Sequence, residues 1–151
     1  MKFLSAIIFI TVLSINTHFA QEDEGIQFFQ GTWKEVLAEA KAQNKLVFVD
    51  VSATWCKPCK MMEKMTFTKK EVGEYFNKNF INYKIVTDQD KIGNAVADKF
   101  KVKGMPTYLF VDGDENLRYF AELGYVEAEE LIQAGKNALN PKKQLKIKKK
   151  K

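Results

Sequence analysis

The two cysteines of this 151-residue chain lie three residues apart, in the stretch Trp55-Cys56-Lys57-Pro58-Cys59-Lys60. Residues i and i+3 of a helix share a face, so a helix here brings the two sulfurs within disulfide-bonding distance with little backbone movement. In such a pair one thiolate attacks a disulfide, and the second thiol resolves the mixed disulfide that results. The spacing therefore indicates a redox-active dithiol.

Three other uses of a Cys-x-x-Cys pair compete with this interpretation. A structural zinc site needs four ligands, usually Cys and His, but the chain has only two Cys and one His, His18. Covalent haem attachment needs His after the second cysteine, where this chain has Lys60. A purely structural disulfide stays open, although so short a loop removes little entropy from the unfolded chain. We expect neither a metal nor another cofactor.

The first 20 residues have the pattern of a secretory signal peptide. Lys2 supplies a positive charge, residues 3–15 are mostly apolar, and a more polar stretch precedes Ala20. Because the apolar run is shorter than the ~20 residues of a membrane-spanning helix, we expect cleavage after Ala20, with an uncleaved anchor as the alternative. The mature protein is then exported, either periplasmic or secreted, where disulfides persist.

The formal charge of +5 is concentrated at the C-terminal end. Seven lysines lie in residues 142–151, whereas residues 21–141 carry slightly more acidic than basic side chains. We expect 21–141 to form one monomeric domain and 142–151 a disordered lysine-rich tail, because the tail has few apolar residues to bury. Such a tail can touch anionic surfaces. The sequence of 21–141 shows nothing that resembles a nucleic-acid-binding face of clustered basic residues interleaved with aromatic ones.

Helical and extended patterns alternate between residues 32 and 139. Two capping boxes, Thr32-x-x-Glu35 and Thr68-x-x-Glu71, predict helix starts. The apolar run 46–51 predicts a strand buried on both faces, and the dithiol that follows opens a helix. A strand at 81–86, a short helix at 92–100, a hairpin with the turn signal Asp112-Gly113 and a helix at 127–139 complete the pattern. We expect an α/β domain with helices covering a central mixed sheet.

This order of motifs resembles the thioredoxin-like thiol–disulfide oxidoreductases. The resemblance rests on Trp-Cys-x-x-Cys-Lys at a helix start after a strand, and on Val102-Lys103-Gly104-Met105-Pro106-Thr107 before a hairpin and a terminal helix. It covers residues 26–139. The N-terminal helix and the stretch Trp-Cys-x-x-Cys-Lys-x-Met-Glu followed by Thr-Phe are similar to the C-terminal domain of the transmembrane disulfide reductase. The resemblance implies a thioredoxin fold, with a central mixed β-sheet covered by helices on both faces.

The expected catalytic roles follow from helix electrostatics and from this resemblance. Cys56, at a helix N-terminus, meets free backbone N–H groups that favour its thiolate, so it is the expected nucleophile. Cys59, one turn inside, is the expected resolving thiol and should be the more shielded of the two. Asp50 is the one charged residue in its apolar strand; burial would raise its pKa and suit it as a proton acceptor for Cys59. Lys84 matches the lysine that pairs with this aspartate in the family.

The resemblance also implies a substrate-binding edge. Pro106 matches the family's cis-proline, which turns the backbone of the preceding residue, here Met105, toward an extended substrate peptide. A trans turn proline is the alternative. Trp55 is expected to shield the rim of the dithiol. The sequence thus predicts a protein-disulfide reductase whose partners are disulfide-bearing proteins and a membrane thiol electron donor. A disulfide oxidase or isomerase, and a non-catalytic binding module of the same fold, are the alternatives.

Overall fold

The structure, a computed structural model, describes residues 24–144. Its elements in chain order are helix α1 (Trp33–Gln43), strand β1 (Leu46–Ser52), helix α2 (Lys57–Met61) continued by a π-helical turn (Met62–Thr66), helix α3 (Lys70–Asn79), strand β2 (Phe80–Val86), helix α4 (Lys91–Lys99), strands β3 (Thr107–Val111) and β4 (Leu117–Leu123), and helix α5 (Ala128–Leu139). The predicted signal peptide, and the predicted tail beyond residue 144, lie outside the described residues.

Four strands form one mixed sheet in the order β2-β1-β3-β4. β1 pairs parallel with β2 and antiparallel with β3, and β4 is antiparallel to β3. β1 takes the central position because its nearly continuous apolar run suits a strand that is covered on both faces. All of its residues after Leu46 are buried. The mixed sheet predicted from the sequence is confirmed.

Helices cover both faces of this sheet, which confirms the predicted architecture. α1 and α4 pack on one face, where Val36 and Val96 are buried. The π-helical turn, α3 and α5 pack on the other face, where Met62, Phe76 and Leu131 are buried. The two faces form separate hydrophobic clusters, because successive side chains of a strand point to opposite sides.

The helix starts agree with the sequence at α1 and differ at α3. Thr32 and Glu35 form the predicted capping box: the Glu35 N–H donates to the Thr32 hydroxyl, and the Thr32 N–H donates to the Glu35 carboxylate. The capping box predicted at Thr68 is wrong. α3 begins after Lys69 without a side-chain cap, and the Thr68 hydroxyl donates instead to the Lys64 carbonyl of the π-helical turn. That local hydrogen bond competes with capping.

The predicted hairpin between β3 and β4 forms, and the Asp112-Gly113 signal lies at the start of its turn. The loop covers residues 112–116, and the Asp112 carboxylate accepts hydrogen bonds from the N–H groups of Asp114 and Asn116. Glu115, with φ 64°, is the residue of this loop in the left-handed region. An aspartate side chain that organises its own following backbone is typical of such loops.

One edge of the sheet gathers the segments that carry the predicted site. Because β1 and β2 are parallel, both of their carboxyl ends lie there, and antiparallel β3 begins there while β4 ends there. The Thr87 N–H donates to the Ser52 carbonyl at 2.9 Å, and the Gly124 N–H donates to the Pro106 carbonyl at 3.0 Å. The segment containing Cys56, which follows β1, therefore adjoins the segment that precedes β3.

The segment before α1 is anchored to α3 at a close contact between two glycines. The Ile26 N–H donates to the Phe67 carbonyl, and Phe28 forms an isolated bridge with Asn82 of β2. A Cβ atom on Gly73 would lie 2.7 Å from Gly25 Cα. This approach requires a residue without a side chain at position 73.

We expect Gly73→Ala to lower the free energy of unfolding by about 1–3 kcal/mol, because the added methyl group displaces the N-terminal segment. The loss should occur although alanine is favoured over glycine in a helix by ~1 kcal/mol. Urea denaturation measures the difference. The control, Lys78→Ala on the exposed side of the same helix, should change stability by less than about 0.5 kcal/mol. A more stable Gly73→Ala variant would contradict the packing of residues 25–28 on α3.

Candidate active site

The two cysteines form a disulfide at the start of α2. Their Cα atoms are 5.3 Å apart, and Cys56 is the N-cap residue of the helix. Both residues are buried, with 2% of Cys56 and 3% of Cys59 exposed. The expectation that Cys59 is the more shielded cysteine is therefore wrong for the oxidised protein, because Ala53 and Met105 pack with both cysteines in one buried cluster.

Hydrogen bonding, rather than exposure, distinguishes the two sulfurs. The Cys59 N–H donates to Cys56 Sγ at 3.2 Å, while the Cys56 N–H donates to the Ala53 carbonyl at 3.1 Å. Pro58 occupies the first turn of α2, where its missing N–H has no partner to lose. A negative charge on Cys56 Sγ would thus meet an N–H group already directed at it.

Thr54 and Asp88 fix the turn that leads into the cysteines. The Thr54 N–H donates to Asp88 Oδ1 at 2.9 Å, and the Thr54 hydroxyl donates to Asp88 Oδ2. These two bonds, the one from the hydroxyl above all, hold the pKa of Asp88 below its usual value. The sequence reasoning missed this pair, since its only signal was an aspartate two positions after the end of β2.

Asp50 is a buried carboxyl in the middle of β1. It is 1% exposed and lies in register with Lys84 of β2 and Tyr108 of β3. Its Oδ1 has no hydrogen-bond partner among residues 24–144. The pKa of Asp50 is raised to about 7. Burial is the largest cause, the Lys84 cation partly opposes it, and the Glu63 carboxylate adds to it. The expected burial of Asp50 and the expected direction of its pKa are confirmed.

Lys84 makes its ion pair with Glu63, not with Asp50. Lys84 Nζ contacts Glu63 Oε1, and no ion pair between Lys84 and Asp50 occurs within residues 24–144. The resemblance therefore correctly predicted that Lys84 lies next to Asp50 across the sheet, but it was wrong about the ion-pair partner of Lys84. Glu63 was missed by the sequence reasoning, although its position four residues after Cys59 places it on the same side of the helix. Two carboxyl groups and one cation thus lie between β1, β2 and the helix of the cysteines.

Met105 and Pro106 adjoin the disulfide on the side of β3. The Met105–Pro106 peptide bond is cis, and Pro106 is buried. Met105 packs against the buried cluster of Ala53, Cys56 and Cys59, and its sulfur accepts a hydrogen bond from the Thr87 hydroxyl at 3.5 Å. The described hydrogen bonds include none made by the Met105 backbone. Met105 therefore lies against the cysteines, and its peptide groups have no hydrogen-bond partner among residues 24–144.

Trp55 precedes Cys56 and lies on the surface. It is 72% exposed and does not belong to the buried cluster around the disulfide. A large apolar side chain held open to solvent beside a reactive pair is available for contact with another molecule.

The residues between positions 24 and 144 include no group of three or more His, Cys, Asp or Glu side chains arranged to hold a metal ion. Among the same residues, no helix is both long enough and apolar enough to cross a membrane.

Comparison with known protein families matches residues 33–139 to the thioredoxin-like domain. The chain belongs to the thioredoxin-like domain family. The predicted thioredoxin fold and the resemblance behind it are thereby confirmed. The region of this match runs from the first residue of α1 to the last residue of α5 and contains both cysteines.

Three relatives illustrate the similarity of this thioredoxin-like chain. It is 32% identical over 108 residues to the thiol:disulfide interchange protein DsbD of Pseudoalteromonas atlantica, covering 71% of this chain and 18% of that protein. A candidate disulphide-isomerase from Bacteroides thetaiotaomicron superposes with a TM-score of 0.68 at 33% identity, over 78% of this chain and 96% of that one. The oxidised C-terminal domain of DsbD from Neisseria meningitidis has a TM-score of 0.60 at 25% identity, over 74% and 99%. The chain spans less than two thirds of the plant thioredoxins H that it also matches.

We expect Asp50→Asn to remove a pH-dependent loss of stability. The pKa of Asp50 in the folded protein, about 7, lies above the ordinary value of 3.8, so folding retains a proton that the unfolded chain releases between these values. The free energy of unfolding is therefore highest, as far as this group is concerned, below pH ~4, where the carboxyl is protonated in both states. It falls as the pH rises toward ~7. The variant should exceed the parent protein in free energy of unfolding by a margin that grows over this range to a few kcal/mol, at about 1.4 kcal/mol per pKa unit.

Urea denaturation of the oxidised proteins at pH 5, 6, 7 and 8 measures this margin. Asp98→Asn, which changes an exposed aspartate of α4, serves as the control and should show a constant difference. A constant difference for Asp50→Asn as well would show that Asp50 ionises without cost in the folded protein.

Proposed function

We propose that this protein is an exported thiol–disulfide oxidoreductase that reduces disulfides in other proteins through Cys56 and Cys59. The observation that carries this proposal is the N–H group of Cys59 directed at Cys56 Sγ at the start of α2. That geometry stabilises a thiolate on Cys56, and a thiolate is the species that attacks a disulfide. The name of the DsbD relative, a thiol:disulfide interchange protein, supports the same chemistry.

The reaction proceeds from the reduced dithiol in two exchanges. The Cys56 thiolate attacks one sulfur of the substrate disulfide, whose S–S bond breaks, and the departing substrate thiolate takes up a proton. Cys59 then loses its proton and attacks Cys56 Sγ of the mixed disulfide, which releases the second substrate thiol. Two electrons pass to the substrate, and the protein is left with the Cys56–Cys59 disulfide. A dithiol electron donor, which we place at a membrane, must restore the reduced form.

Asp50 is the proposed proton acceptor for Cys59. A carboxyl whose pKa is about 7 exchanges protons readily at neutral pH. Its unpartnered Oδ1 is free to accept the thiol proton, and the Lys84–Glu63 ion pair lies beside it on the same face of the sheet. Lys84 has the proposed role of holding Glu63 in place and limiting the rise in the pKa of Asp50.

Met105, Pro106 and Trp55 are the proposed substrate contacts. The Met105 backbone makes none of the described hydrogen bonds, so its N–H and C=O groups are available to an extended peptide, as in strand addition. The exposed Trp55 ring offers apolar area on the other side of Cys56. A substrate disulfide between these two contacts would lie over the sulfurs.

The proposed direction is reduction, because two acidic groups, Asp50 and Glu63, lie on the sheet side of the helix of the cysteines. The reduced form depends on stabilising a Cys56 thiolate, and the nearby Asp50 and Glu63 carboxylates oppose that charge when they are ionised. A less stable reduced form makes the couple a stronger reductant. Isomerisation is the second candidate, favoured by the described function of the Bacteroides relative. Export rests on the signal-peptide pattern of residues 1–20 and predicts cleavage after Ala20.

We expect Cys56→Ser to abolish reduction of insulin by dithiothreitol-coupled turnover, and Cys59→Ser to accumulate a mixed disulfide with the substrate. The first variant lacks the nucleophile and the second lacks the thiol that resolves the intermediate. Non-reducing electrophoresis and mass spectrometry detect the trapped species. The double variant, which can form no mixed disulfide, is the control. Trapping by Cys56→Ser instead of Cys59→Ser would reverse the assignment, and turnover by the double variant would contradict the function.

We expect the Cys56–Cys59 couple to have a reduction potential nearer to that of thioredoxin, about −270 mV, than to that of DsbA, about −120 mV. Asp50→Asn, which removes a charge opposing the thiolate, should raise the potential by about 10–30 mV at pH 8. Equilibration with glutathione or a dithiothreitol buffer measures both values, and Asp98→Asn is the charge-matched control. A potential close to that of DsbA would favour oxidation over the proposed direction.

A further inference from the structure

We propose that the exposed side of the helix after the disulfide binds an acidic, partly apolar segment of the substrate protein. This surface, called the basic face below, consists of Lys57, Lys60, Met61, Lys64 and Met65. The inference rests on the proposed function, since it concerns the proteins that reach Cys56, and it goes beyond the exchange chemistry to the kind of substrate selected.

Burial divides the helix into two sides. Cys59, Met62 and Thr66 are buried, whereas the five residues of the basic face are exposed. Residues three and four apart in a helix are neighbours on its surface, so the lysines and methionines of this face alternate along one side of α2 and the π-helical turn. The face begins at Lys57, the residue after Cys56. A substrate bound at the sulfur therefore extends directly onto it.

The lysines of the basic face have no acidic partner within the protein. Between residues 24 and 144, neither Lys57, Lys60 nor Lys64 lies within ion-pair distance of a carboxylate, although six other basic side chains do. Lys101 and Lys103, in the loop before Met105, are also exposed and outside these ion pairs. Positive charge therefore borders the disulfide on two sides without internal neutralisation.

Three acidic groups of the same region offset this positive charge only in part. Glu63 is paired with Lys84, Asp50 is buried, and Asp88, held by two hydrogen bonds from Thr54, keeps its negative charge. In the rest of the described chain acidic side chains outnumber basic ones. The positive charge is thus concentrated around the disulfide, where it would raise the local concentration and the association rate of an acidic segment.

The methionines give the basic face an apolar component. Met61 is 38% and Met65 53% exposed, and Trp55 lies before the disulfide with 72% of its surface exposed. Flexible, polarizable methionine side chains adapt to partners of differing shape. The occupant that satisfies both the charge and the apolar area is a protein segment in which acidic residues alternate with apolar ones. A lipid surface would satisfy the charge, but it offers no disulfide to the sulfurs that the face adjoins.

Single-turnover reduction of three model peptides by the reduced protein tests the proposal. The peptides share one disulfide and differ in flanking residues, which are Glu and Leu, Lys and Leu, or Ser and Leu. At about 20 mM salt the acidic peptide should react roughly 5–20-fold faster than the serine peptide, and the lysine peptide more slowly than either. At about 0.5 M salt, where charges are screened within a few ångström, the three rates should agree within about threefold.

The double variant Lys60→Glu/Lys64→Glu should lower the ratio of the acidic to the serine rate by about tenfold at low salt, because it reverses the charge of the basic face. Lys78→Glu, which changes an exposed lysine on α3, should preserve the ratio. The double variant Met61→Ser/Met65→Ser should slow the reduction of all three peptides at low and at high salt, because it removes apolar rather than electrostatic contacts.

The outcomes separate this inference from the function on which it rests. If the serine peptide is not reduced at all, the proposed function fails. If it is reduced but the ratio is near one, or the ratio survives Lys60→Glu/Lys64→Glu, only the basic face is overturned as a substrate-binding surface. Co-sedimentation with phosphatidylserine vesicles at physiological salt is measured for the parent protein and for Lys60→Glu/Lys64→Glu. If the parent binds the vesicles, the variant does not, and the peptides show no preference, the basic face binds a membrane surface and the proposal is overturned.

Discussion

The burial of β1 at the centre of the sheet is the constraint on which the site depends. β1 is paired on both edges and covered on both faces, so its carboxyl end cannot shift without moving β2 and β3. That end leads within four residues to Cys56. The parallel strand β2 ends at the same edge, two residues before Asp88, and antiparallel β3 begins there after Met105 and Pro106. Three segments far apart in sequence are thereby held around one disulfide.

The same burial creates an electrostatic conflict. Asp50 must lie in the hydrophobic centre because its neighbours in β1 do, and this raises its pKa to about 7. Lys84 partly offsets the cost but is itself engaged by Glu63. A carboxyl that is half-ionised near neutral pH is costly for the fold and useful for moving a thiol proton. Under the proposed function, this destabilising group serves as the proton acceptor for Cys59.

Charge is distributed differently on the two sides of the disulfide helix. On the side toward the sheet, Glu63 pairs with Lys84, which is in register with Asp50. The exposed side carries methionines and lysines that form no ion pair within residues 24–144. The inner charges act on the stability of the thiolate, and the outer charges act on molecules that approach from solvent, where screening limits their range. Under the two proposals, one short helix sets the reactivity of the cysteines and the selection of a partner through different faces.

The sequence by itself determined most of the helices and strands and the disulfide pair. Local patterns sufficed for the capped start of α1, the apolar strand β1 and the disulfide pair, because each depends on residues close in sequence. The family resemblance supplied Pro106 and the pairing of positions 50 and 84 across the sheet. Only the tertiary structure decided that Glu63 takes Lys84, that Thr54 is held by Asp88, that both cysteines are equally buried and that Thr68 is not a cap. These outcomes depend on distances between side chains from different elements, and those distances follow from packing that no local pattern encodes.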